Sequence, residues 1–151
     1  MHPIYREANM KDNINTLDEI HKGACMGQDA LKVVIEKAED AKLKSELERE
    51  FDLYDDIAKK IEEMYPKYNE GEPHDTSAMN KAMTWSHIEM KTLTDETSSK
   101  LAELIVIGMN MGIIEGRRIL NNKKLNKEVE EVVSDYVTMQ EDSMEILKEY
   151  L

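Results

Sequence analysis

Apolar side chains recur along most of this chain at spacings of three and four, the spacing that lines one face of an α-helix. Ile14, Leu17, His21, Ala24, Gln28, Leu31, Ile35 and Ala38 keep that register. They predict a first helix over about 12–40, with Asp12 as its N-cap. After a turn near 39–42, Leu43, Leu47, Glu50, Tyr54, Ile57, Ile61 and Met64 predict a second helix, which Pro66 ends. So short a turn makes the two helices antiparallel neighbours. Residues 66–77 hold two prolines and a glycine and read as the longest loop. A shorter helix over 79–92, carrying Met79, Met83, Trp85 and Met90, follows as part of a crossover. A third long helix over 95–121 takes its cap from Thr94 or Asp95. A last one over 126–150 turns Val129, Val132, Tyr136, Met139, Ser143, Ile146 and Tyr150 inward. Residues 1–11 fall outside the pattern and predict a flexible N-terminal arm, which leaves 12–151 as one domain.

The two hairpins look alike in sequence. Gly23-Ala-Cys-Met-Gly27 is echoed 85 positions later by Gly108-Met-Asn-Met-Gly112, and Leu43–Glu48 is echoed 82 positions later by Leu125–Glu130. The second offset also pairs Tyr54 with Tyr136 and Ile57 with Met139. The drop from 85 to 82 predicts a second interhelical turn about three residues shorter. The glycines predict close helix packing, since glycine otherwise weakens a helix by about 1 kcal/mol relative to alanine. The expected fold is therefore all-α: a ferritin-like four-helix bundle made by duplication of a helical hairpin, with a short crossover helix between the hairpins.

Trp85-Ser-His-Ile-Glu-Met-Lys-Thr-Leu-Thr94 and the Met-Gly pairs within the first and third long helices resemble small bacterial ferritin-like proteins of unknown function. The resemblance covers roughly residues 14–151. It implies a four-helix bundle with a crossover segment that often self-associates, and it says almost nothing about activity.

A working di-iron bundle takes a Glu from each of two helices and Glu-x-x-His from each of the other two. Here Glu50 is followed at that spacing by Leu53, Glu46 by Arg49 and Glu141 by Met144, while Gln28 stands where a bridging Glu would sit. What remains on the inward stripes is a polar layer of His21, Gln28, Glu50, Tyr54, Glu115 and Tyr136. One reading makes His21, Glu50 and Glu115 ligands of an atypical site for iron or another divalent metal. The favoured one is a buried hydrogen-bond network in which Tyr54 and Tyr136 donate to Glu50 and Glu115 and Gln28 bridges. Arg118 is placed to pair with Glu115. Met79, Met83, His87 and Met90 carry soft donors at helical spacing that suit Cu(I), but such a stripe more commonly serves as an adaptable contact surface. Cys25 lacks a cationic neighbour and reads as a small buried residue, and His74 as a solvated loop side chain.

Charge narrows the partners. A net charge of -12 repels nucleic-acid phosphates and anionic membranes. A single cysteine suits a reducing, cytoplasmic setting, and nothing in the first residues reads as a signal peptide. The chain has no phosphate loop, Cys-x-x-Cys or nucleophile–base pair. The expectation is thus a non-catalytic bundle with no cofactor, acting through self-association, as a dimer, or through a protein partner. An atypical metal-binding bundle is the alternative, and a small apolar ligand between the glycine-bearing helices is a third possibility.

Overall fold

The computed structural model describes residues 9–151, and among them it is helical with no strand. The helices are α1 (Met10–Lys37), α2 (Ala41–Met64), α3 (Ala78–Lys91), α4 (Ser98–Asn122) and α5 (Lys127–Leu147), with 3₁₀ turns at Tyr65–Lys67 and Lys148–Tyr150. Most of the expected arm lies outside the described residues. Its last three positions do not belong to an arm: the Asn9 carboxamide accepts from the Lys11 and Asp12 amides, so Asn9 and not Asp12 caps α1. Asp40, Ser77 and Thr97 cap α2, α3 and α4 in the same way. Asp95 does not cap α4; its carboxylate holds the Thr97 amide and hydroxyl instead.

α1 and α2 form one antiparallel hairpin, α4 and α5 another. Each hairpin lies against the other through α1–α4 and α2–α5 contacts. Polar ties show the directions. Along α2 and α5, Tyr54 meets Gln140, Lys60 meets Asp135 and Lys67 meets Glu128, so these helices are antiparallel. Asn13 near the start of α1 accepts from the Asn126 amide just beyond α4, while Lys37 at the end of α1 meets Glu96 just before α4. The α2–α4 connection therefore returns along the full length of the bundle, carried by α3 outside α1. Gly71, with φ +83, provides the one left-handed turn in its first part.

The core runs between the hairpins, with Leu17, Ile20, Leu47, Ile61, Leu101 and Val133 all but fully buried. On α5 the expected Val129, Val132, Tyr136 and Ser143 are buried, and toward the C-terminal end the inward face departs from the expected stripe by one position. Leu147, Val137 and Gln140 are buried there, whereas Ile146 is exposed and Met139 only half-buried.

The glycines accommodate side chains. A Cβ on Gly27 would stand 2.8–3.0 Å from ring atoms of Tyr54, and one on Gly23 2.5 Å from the Tyr136 hydroxyl. In α4 the counterparts are Gly112, packed on the Gln140 carboxamide, and Gly116, packed on Val137 and near Tyr136. Gly108 has nothing within 4 Å. The offset of 85 thus misplaces the second pair by one helical turn. Nor is the second turn shorter: residues 123–126 join α4 to α5, against 38–40 for the first hairpin.

Two kinds of glycine should respond oppositely. Gly27→Leu and Gly112→Leu are expected to lower stability by about 2–3 kcal/mol through overpacking, while Gly108→Ala should raise it by about 0.5–1 kcal/mol through helix propensity. Chemical denaturation of the three variants checks this; equal effects at Gly108 and Gly112 would refute the assigned packing.

Candidate functional site

Three polar groupings occupy the bundle, and the expected layer is divided among them. The first lies between the hairpins. The Tyr54 hydroxyl donates to Gln140 Oε1 at 2.8 Å, and Gln140 Nε2 donates to the Tyr136 carbonyl at 3.0 Å. The two tyrosine rings meet edge to face, 6.2 Å apart, a favoured aromatic geometry. Burial pushes both phenols well up from their ordinary range, with Tyr136 raising Tyr54 and Glu115 raising Tyr136 further. Both therefore remain neutral donors. Gln140 is the hub, and the sequence reading missed it. The available signal was its place one turn after Tyr136 and three residues before the buried Ser143.

Among the described residues neither tyrosine donates to a glutamate. Glu115 sits in the α1–α4 seam, half-buried, beside Gly23 and the Tyr136 hydroxyl. Its carboxyl is held above the usual range by burial and then by Glu19, against the pull of Lys22. Among the described residues Arg118 makes no ion pair with it; Arg117 instead reaches Glu141 on α5 at 3.3 Å. Gln28 is not a bridge either. It points along α2, donating to the Phe51 carbonyl at 3.4 Å and to Asp55 at 3.3 Å.

Glu50 forms the second grouping. It is 0% exposed, and neither carboxyl oxygen has a hydrogen-bond partner among the described residues. Burial, then the adjacent Glu46 carboxyl, pushes it up to about 10, so at neutral pH it is an uncharged acid. Glu46 moves the other way: burial raises it, but Arg49, whose guanidinium grips both its oxygens at 2.8–2.9 Å, and then Glu50 hold it below its ordinary value. On α5, Ser143 lies beside Arg49 and Tyr136 beside Glu115. These levels are seven residues apart, roughly 10 Å of helix.

The third grouping is a clamp on the crossover. His21 is buried, with Nδ1 2.6 Å from the His74 carbonyl and Nε2 2.7 Å from Glu62. The His74 amide is held in turn by Asp18, which also accepts from the Tyr65 hydroxyl. The His74 ring is solvated as expected, while its backbone is gripped from both sides. A cleft of about 400 Å³ opens here, lined by His21, Glu62, Gly71, Glu72 and Asp75 among others. Cys25 lies behind it, 3.9 Å from His21 Nδ1. Burial and then Asp75 push the thiol up to about 12, so it is not an activated nucleophile.

His21, Glu50 and Glu115 consequently do not come together. His21 faces Glu62 and the crossover, Glu115 the opposite flank of α1, and Glu50 lies about two turns along the bundle from Glu115. Both His21 nitrogens face acceptors. This donor set does not fit a metal ion, and among the described residues no three His, Cys, Asp or Glu side chains are grouped so as to hold one. No family model, curated protein or solved structure matches the chain.

The buried acid has a pH signature. Its folded-state value lies above the ordinary 4.5. Its contribution to stability is therefore complete below about pH 4.5 and is lost as pH rises toward 10, because folding must take up a proton. Glu50→Gln removes that requirement. Its stability advantage over wild type should grow steadily between about pH 5 and 9 in parallel denaturant titrations; a constant difference would mean Glu50 is ionised in the folded protein.

Proposed function

We propose that this protein is a ferritin-like helical bundle without the di-iron ligand set, and that it acts through association, with a second copy of itself as the first partner. One observation carries the reading: large apolar side chains are exposed on the crossover, and others on α4. Met79, Met83, Trp85, Met90 and Leu93 on and just after α3, and Ile107, Met111 and Ile114 on α4, are all exposed. In α3 only Ile88 is buried apolar surface. A helix that buries one residue of its own and presents methionines and a tryptophan outward suits a contact surface, since methionine adapts to irregular partners.

The ferritin-like assignment draws support from the two antiparallel hairpins joined by one full-length crossover. A non-catalytic role draws support from the separation of His21, Glu50 and Glu115 and from the unactivated Cys25 thiol. No helix among the described residues is long and apolar enough to cross a membrane. A cytoplasmic setting accords with the single, unpaired cysteine.

Sedimentation velocity tests the proposal. Wild type is expected to dimerise, Met83→Glu and Met111→Glu to shift it to monomer at unchanged melting temperature, and Met10→Glu, exposed elsewhere, to leave it unaffected. Two copies at -12 repel each other, so added salt should tighten an apolar contact, with screening lengths near 10 Å at about 0.1 M. A monomer at every concentration and salt level would defeat self-association.

A further inference from the structure

We propose that the N-terminus of α5, backed by Asn13 of α1, is a binding site for a phosphate group, free or carried as the monoester of a small molecule. The site stands independently of the association reading above.

An α-helix leaves its first amides without partners inside the helix, and these amides and the helix dipole attract an anion. α1 to α4 meet some of theirs with the side chains of Asn9, Asp40, Ser77 and Thr97. α5 does not. Its cap residue, Asn126, accepts nothing from the first turn, and its Nδ2 donates to the Tyr68 hydroxyl at 3.0 Å. The Val129 and Glu130 amides bond to the Asn126 carbonyl, which leaves the Lys127 and Glu128 amides with no acceptor among the described residues. This end is open, since Lys127 is exposed and Glu128 only half-buried.

The second observation lies on α1. Asn13 is 1% exposed, and its Oδ1 accepts from the Asn126 amide at 2.9 Å. A backbone N–H only donates, so this bond fixes which end of the carboxamide is oxygen. It also holds Nδ2, part of the same planar group, at the α5 cap. That buried nitrogen has no partner among the described residues. A donor left unmet inside a protein is costly, and what it lacks is an acceptor.

Charge agrees with the donors. The chain carries -12 overall, yet Lys123, Lys124 and Lys127 flank this cap, all exposed and none in an ion pair among the described residues. Two acids beside the cap are already engaged. Glu128 accepts from the Tyr68 hydroxyl and pairs with Lys67, and Asp12 accepts from the Lys124 amide. Glu130, also in the first turn, is exposed. Backbone amides, a carboxamide nitrogen and ammonium groups are all donors, a set that suits an oxyanion and excludes a cation. Phosphate offers them more acceptor oxygens and more charge than a carboxylate does. Once bound, it ties α1 to α5 and stabilises the bundle in proportion to its occupancy.

The experiment titrates the full chain, labelled with nitrogen-15, with inorganic phosphate and separately with glycerol 3-phosphate, against sodium chloride at matched ionic strength. Saturable shifts are expected at the Lys127 and Glu128 amides and the Asn13 carboxamide, but not at the Gly108 amide, and the melting temperature should rise over the same concentrations. Asn13→Asp keeps the oxygen that accepts from Asn126 and replaces the donor by a second oxygen. Phosphate affinity should then fall about tenfold or more, as for loss of one hydrogen bond to a charged group. The Lys123→Gln/Lys124→Gln/Lys127→Gln variant leaves the buried groups intact and should bind phosphate several-fold more weakly, which decides the matter if Asn13→Asp does not fold. Equal affinity for both ligands would assign the site to a phosphomonoester, and binding of inorganic phosphate alone would assign it to the free ion. Shifts that do not saturate, a response matched by chloride, or an affinity that neither variant changes would overturn the site.

Discussion

Two tyrosines facing each other across the hairpin interface set the spacing of this bundle. Tyr54 and Tyr136 are among the larger buried side chains, and each needs volume that an ordinary residue on α1 would fill. Gly27 and Gly23 leave that volume empty. Replacing glycine in a helix removes a conformational cost of about 1 kcal/mol, but at Gly23 and Gly27 an added Cβ would collide with a tyrosine. The rings then meet edge to face, and Gln140 ties the Tyr54 hydroxyl to the α5 backbone. Register between α1, α2 and α5 follows from this contact, because sliding any helix by one turn would put a side chain into a ring.

Polar groups within such a core are handled in three distinct ways. Gln140 satisfies the Tyr54 hydroxyl with its oxygen and the Tyr136 backbone carbonyl with its nitrogen. Glu50 avoids the cost of a buried charge by keeping its proton, beside a Glu46 that keeps its charge on Arg49; unpaired buried carboxylates are otherwise too costly to retain. His21 joins a buried ring to Glu62 and to the backbone of the crossover. That last arrangement explains why a long connection that buries little apolar surface stays docked: Asp18 and His21 hold both polar groups of the His74 peptide backbone, and ion pairs hold α3 further on. The interior is thereby sealed, and the proposed contacts fall to the outer faces of α3 and α4.

Heptad spacing made the five helices legible to within a few residues, because burial on one face is a one-dimensional property of sequence. Cap residues were less legible. Asn9, Asp12, Thr94, Asp95 and Thr97 are all chemically able caps, and only the hydrogen bonds distinguish those that accept from the first turn. The polar layer was recognised by residue type and misassigned by partner. His21, Glu50 and Glu115 share inward-leaning stripes, but a stripe spans more than 100° of helix. Its two margins face different neighbours, so His21 on α1 looks to Glu62 of α2 while Glu115 on α4 looks to Gly23 of α1.

By itself the sequence determined that the chain is helical, where its helices turn, that its core would carry polar groups, and that no Glu-x-x-His pair is present, since periodicity, proline placement and residue identity are local. Tertiary structure decided everything that depends on which helix faces which. It selected Gly112 and Gly116 as the second glycine pair, made Gln140 the hub, left the Glu50 oxygens without a hydrogen-bond partner among the described residues, drew the His74 backbone into a part-buried clamp, and turned the α3 methionines outward. The physical reason is that axial level and rotation between packed helices are set by the summed fit of many side chains, a quantity no single stretch of sequence contains.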